Sequence, residues 1–132
     1  MNVIAAFGND ENTCRLAEDV VEFCVRKLMP RMKTLDICIN IEEDCDIFGY
    51  CLAVDTREFV IEVKQDATVI EFIETLAHEC VHIKQYAKKE LPIDGKLEYN
   101  TLEDYENAWY EVEAYDKEKS LAAEYIKEFF GK

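Results

Sequence analysis

The stretch "DATVIEFIETLAHECVHIKQYAKKE" (66–90) decides how the rest of the chain must be arranged. Ile73, Leu76, Cys80 and Ile83 or Lys84 recur at three- and four-residue spacing, which predicts a helix with one buried stripe. Thr68 or Asp66 can cap its N-terminus, and Glu71 stands where a capping-box partner of Thr68 belongs. Within that helix "HECVH" (78–82) sets the 2 histidines of the chain at i and i+4, on one face and on a flank of the apolar stripe. Two imidazoles so placed can reach one Zn2+ at about 2.0–2.1 Å. Glu79 between them then lies beside the ion, where it can take a proton from a water that the metal acidifies toward neutrality. The competing reading is a pair of half-buried histidines bonded to core carbonyls. The helical context, and the use of both histidines, favour the metal.

Outward from this helix the order of elements follows from periodicity and breakers. Leu16, Val20, Phe23, Cys24 and Leu28 predict a helix from about Asn12 to Met29, ended by Pro30. "LDICINIEE" (35–43), "FGYCLAVD" (48–55) and "EFVIEVKQ" (58–65) are β-rich runs with short links, which predict three consecutive antiparallel strands. "LPIDGKLEYN" (91–100) breaks the helical pattern, and a long last helix runs from Thr101 to about Phe130. The expectation is one α+β domain over residues 1–132: N-terminal helix, three-stranded antiparallel sheet, histidine-bearing helix and C-terminal glutamate helix.

Composition narrows the function classes. Fifteen basic against 29 acidic residues give a net charge of −14, a field that repels phosphate backbones and anionic membranes. Neither nucleic acid nor membrane is an expected direct partner. The opening "MNVIAAFGNDENTCRL" has no basic and apolar leader pattern and no apolar run reaches the roughly 20 residues of a bilayer span. A cytoplasmic location is expected, a host cytoplasm for a viral chain. Six cysteines (Cys14, Cys24, Cys38, Cys45, Cys51, Cys80) in a reducing compartment should stay thiols, and the lack of any C-x-x-C pair argues against a cysteine zinc site. "EEDCD" (42–46) lacks the spacing and glycine of a calcium loop and is expected to be a solvated turn.

A catalytic zinc needs a third protein ligand and an open position for water. In "AWYEVEAYDKE" (108–118) the candidates are Glu111 and Glu113, about 200° apart on a helix, so one must be a bystander. With the apolar sector centred near Val112 and including Ala108, Tyr115, Ile126 and Phe130, Glu111 is the favoured ligand and Glu113 the solvated one; Glu113 stays the alternative.

"TLAHECVHIKQY" followed by "WYEVEAYDKE" resembles the minimal gluzincin metallopeptidases, a group that includes small phage-type proteins and peptidases that inactivate phage repressors. The resemblance covers nearly the whole chain. It implies zinc held by His78, His82 and Glu111, the first glutamate of an E-x-x-A segment ending at Ala114, with Glu79 as general base. Related families carry Asp or Asn after that alanine, hydrogen-bonded to a histidine ligand. Here the residue is Tyr115, so the imidazoles must be oriented by something else, with Asp116, Glu74, Asn107 or backbone carbonyls as candidates.

The expected activity is therefore zinc-dependent peptide hydrolysis on a protein or peptide substrate, with Glu79 taking the proton from water and passing it to the leaving amine. Tyr115 and Tyr105, with Tyr99 and Tyr110 further, are near enough in sequence to be candidates for stabilising an oxyanion. The run 58–65 is a candidate sheet edge for an extended substrate. The rival readings are a catalytically inactive zinc-binding interaction module and an acidic mimic of nucleic acid.

Overall fold

The computed structural model describes residues 1–43, 49–65, 68–93 and 107–131. Its elements run β1 (Val3–Phe7), α1 (Glu11–Leu28), β2 (Asp36–Glu42), β3 (Gly49–Ala53), β4 (Glu58–Lys64), α2 (Val69–Ala87) and α3 (Trp109–Phe130). The described residues form an α+β fold with three helices and one four-stranded sheet in the order β1-β2-β4-β3.

The sheet is mixed, not antiparallel. β1 pairs parallel with β2 and β2 parallel with β4, while β3 joins β4 antiparallel at the far edge. Two features escaped the strand pattern. "VIAAF" at 3–7 is short and rich in alanine, yet α1 carries the chain back so that β1 and β2 form a parallel pair, as a βαβ crossover does. Adjacency in sequence held for β3 and β4, whose connecting turn is closed by Val54 N–H donating to Glu58 O at 2.9 Å. It failed for β2, which pairs with β4 and leaves β3 outside. The run 58–65 is thus an interior strand, and β1 and β3 are the sheet edges.

Alternation along the strands builds the core. Ile37, Ile39 and Ile41 of β2 and Phe59, Ile61 and Val63 of β4 are buried beneath the helices, each such side chain worth about 1.5–3 kcal/mol of transfer free energy. The register sets these two rows side by side, Ile37 with Phe59 and Ile39 with Ile61. Val20, Val21, Phe23 and Cys24 of α1 and Phe72, Ile73, Leu76 and Cys80 of α2 close the core from above.

The starts of α1 and α2 follow local chemistry. Asp10 caps α1 by accepting from the Asn12 N–H, and Thr68 Oγ1 caps α2 by accepting from the Glu71 N–H at 3.1 Å, which satisfies donors a helix otherwise leaves unpaired. α2 ends at Ala87, and Lys89 just beyond adopts a left-handed φ of 61°. α2 is buried on nearly every side, because the sheet and α1 take its apolar stripe and α3 packs along its polar flank. The portion of the last helix expected over 101–106 lies outside the described residues, as do Cys45, Asp66 and part of 42–46. The described cysteines Cys14, Cys24, Cys38, Cys51 and Cys80 are all free thiols. Among the described residues no helix is long and apolar enough to cross a membrane.

Candidate metal centre

α2 and α3 meet along the flank that carries both histidines. His78 and His82 stand one turn apart with ring centroids 4.9 Å from each other, edge to face. Across from them Glu111, in the first turn of α3 and 3% exposed, puts a single carboxylate oxygen between the two rings. Its Oε1 lies 3.0 Å from His78 Nε2 and 2.9 Å from His82 Nε2. Ligands held tetrahedrally at about 2.0–2.1 Å from one Zn2+ lie roughly 3.3 Å apart. The two short contacts therefore come within a few tenths of an ångström of that spacing. His78, His82 and Glu111 form a group whose ligand atoms all lie within 4.8 Å of one another, and they could hold a metal ion.

Glu79, also on α2, is buried and close enough to His78, His82 and Glu111 to interact with all three charges. Burial disfavours its carboxylate, and the nearby Glu111 and Glu118 reinforce that against the opposing pull of His82 and His78, so its pKa is pushed up to about 7. A carboxyl poised near neutrality can both accept and return a proton. His82 shifts upward despite burial, because the hydrogen bonds and charges of Glu111, Glu79 and Gln85 favour its imidazolium. Three acidic groups around two imidazoles thus make a pocket of negative potential suited to a divalent cation.

No family model, curated protein or solved structure matches the chain. The site is therefore interpreted from its own chemistry.

Glu113 is the second candidate of the sequence, and it stands apart from the histidines. It is not solvated surface but a half-buried anchor: its Oε2 accepts from Lys84 Nζ at 2.9 Å and Lys117 Nζ at 3.1 Å, and its Oε1 from the Gln85 amide at 2.8 Å. Burial alone would raise its pKa, but those three donors outweigh it and draw the carboxyl down to about 2. The apolar sector assigned to this helix was also rotated. Val112 and Tyr115 are exposed, while Tyr110, Glu111, Ala114, Leu121, Ala122 and Tyr125 face inward. The reason is that α3 packs on the polar flank of α2, so its buried face follows the ligands and not its most apolar residues.

The groups that orient the imidazoles were missed. His82 Nδ1 lies 2.8 Å from the side-chain oxygen of Gln85, and His78 Nδ1 lies 3.7 Å from a Glu118 carboxylate oxygen. Burial, aided by Glu74, raises the Glu118 pKa against the pull of His78. Asp116 and Asn107 are exposed, and no hydrogen bond joins Asp116, Glu74 or Asn107 to a histidine among the described residues. Gln85 follows His82 by three residues, an i, i+3 relation on one helix, which was the available signal. Glu118 lies two turns beyond Glu111, the same signal on α3.

Tyr115 lies edge to face against His78 with centroids 4.7 Å apart, and Tyr110 is buried against His82. Tyr105 and Tyr99 fall outside the described residues. A further neighbour is the edge strand β3. Gly49 sits so close to α2 that a Cβ there would lie 2.8 Å from Thr75 Cγ2, 3.0 Å from the Glu62 carbonyl oxygen and 3.6 Å from Glu79 Oε2.

Proposed function

We propose that the chain is a zinc metallopeptidase of gluzincin type, in which His78, His82 and Glu111 hold the ion and Glu79 is the general base. The observation that supports this most is the convergence of two imidazole Nε2 atoms on one buried carboxylate oxygen, beside a second carboxyl whose pKa is raised to about 7. In the structure the Nε2–H groups of both rings can donate to Glu111 Oε1; one divalent cation in place of those two protons satisfies the same three atoms. Two imidazoles and one carboxylate are a donor set that zinc prefers over hard cations. When bound, zinc supplies Lewis acidity at neutral pH.

The residues of the chain supply the remainder. Glu79 takes the proton of the attacking water and delivers it to the leaving amine nitrogen. β3 is an edge strand of the described sheet, and we place an extended peptide along it, added as a further strand. Its first residue, Gly49, lies beside Glu79, which would bring such a peptide to the base. Tyr115, against His78, is the nearest described phenol for the oxyanion.

The test is a comparison of wild type with Glu79→Gln on an unfolded protein substrate. Turnover should vanish in the variant while zinc stays bound. Equal cleavage by both forms excludes Glu79 as the base. A search for new protein termini in cells making either form then identifies the substrate.

A further inference from the structure

We propose that Gln85 is the positioning residue of this centre, fixing the His82 ring with its proton on Nδ1 so that Nε2 is turned to the metal; this rests on the metal reading above. Gln85 is fully buried on α2. Its amide nitrogen has two hydrogens, and both are used: it donates to the Tyr110 carbonyl at 2.9 Å and to Glu113 Oε1 at 2.8 Å. Neither partner can donate in return, since a carbonyl oxygen and an ionised carboxylate carry no hydrogen. The amide therefore cannot be flipped, a choice that geometry alone leaves open for many glutamines.

With the nitrogen so committed, the Gln85 oxygen must face His82 Nδ1, 2.8 Å away. An oxygen only accepts, so Nδ1 must carry the proton. The second ring proton, on Nε2, then points at Glu111 Oε1, 2.9 Å away, and is the one that a cation would displace. A histidine that ligates through Nε2 needs this arrangement, because the hydrogen bond of the second nitrogen sets which one can bind metal.

The acceptor behind Gln85 is itself held. Glu113 is bonded by Lys84 and Lys117, and Lys84 is bonded in turn to Glu90 at 3.0 Å. The chain of contacts thus runs from the Lys84 and Lys117 ammonium groups through Glu113 and Gln85 to His82. The corresponding contact of His78 is longer, its Nδ1 lying 3.7 Å from a Glu118 carboxylate oxygen. His82 is the more closely held of the two, and the group that holds it is a glutamine on the histidine helix itself.

The experiment uses the full chain labelled with 15N-histidine, with and without zinc. Only 2 histidines contribute, so the ring nitrogens separate cleanly. Wild type should show a His82 Nδ1–H resonance protected from exchange with water, and Gln85→Leu should lose it and bind zinc roughly 10–100-fold more weakly in chelator competition. Where Gln85→Leu does not fold, the zinc-bound wild type carries the test: His82 Nδ1 should keep its protected proton while Nε2 shows the shift of a ligating nitrogen. A protected Nδ1–H in folded Gln85→Leu, its absence in wild type, a His82 that ligates through Nδ1, or unchanged zinc affinity in Gln85→Leu overturns the proposal alone. A wild type that binds no zinc overturns the metal reading, and this proposal with it.

Discussion

Glu79→Gln should stabilise the protein in chelator, and do so only above mildly acidic pH. The Glu79 pKa lies at about 7 in the folded chain against 4.5 ordinarily. Between those values the folded protein keeps a proton that the unfolded chain releases, so stability falls as pH rises through that window. At about 1.4 kcal/mol per pKa unit, the full shift is worth about 3 kcal/mol. His82 adds a slope of the same sign. Its raised pKa means that stability present below the unfolded value of 6.5 is lost as pH rises through the folded one, and Glu79 is among the causes of that rise. The substitution removes the first contribution and weakens the second. Denaturant unfolding of both forms in chelator, from mildly acidic to mildly alkaline pH, should show near-equal stability at the acid end and an advantage for the variant approaching about 3 kcal/mol at the alkaline end. Saturating zinc should shrink that difference, because the cation favours the ionised carboxylate. A difference independent of pH, or a wild type that gains on the variant as pH rises, refutes the buried, cation-seeking carboxyl.

Three further outcomes follow from particular contacts. Glu113→Ala removes the acceptor shared by Lys84, Lys117 and Gln85 and should lower stability by roughly 1–3 kcal/mol, measured in denaturant, with zinc stoichiometry unchanged. Gly49→Ala places a Cβ at 2.8 Å from Thr75 and 3.0 Å from the Glu62 backbone; β3 must shift away from α2, so the proposed peptidase turnover should fall more than the proposed zinc binding does, at a stability cost of about 1–3 kcal/mol. Thr68→Ala removes the cap on Glu71 N–H and should cost about 1 kcal/mol in thermal unfolding, without effect on zinc affinity.

The site was more legible than the sheet. His78, His82 and Glu79 sit on a long periodic helix, where spacing alone fixes which side chains share a face. Glu111 was favoured over Glu113 by helical phase, and the structure does bring Glu111 to the histidines, but the phase rested on the wrong sector. Val112 and Tyr115 are apolar and exposed, while Glu111 is buried because its partners are polar. Hydropathy reports burial against an apolar neighbour and is blind to burial against a histidine. Gln85 escaped for the same reason: a buried glutamine carries no apolar signal, and its role appears only once Glu113 and Tyr110 are seen to claim its nitrogen. In the sheet, β-rich composition located β2, β3 and β4, since that signal is local. Pairing order is not local. It depends on where α1 returns the chain and on which side of β4 the strand before it comes to lie, neither of which leaves a periodic trace.

The central claim is that α2 and α3 together form one metal centre, and metal content per chain tests it most directly. Wild type dialysed against buffered zinc should retain one equivalent, Glu111→Ala and His82→Ala should retain almost none, and Glu113→Ala should match wild type. Zinc-free wild type, or a Glu111→Ala variant that keeps its full equivalent, would contradict the centre described here.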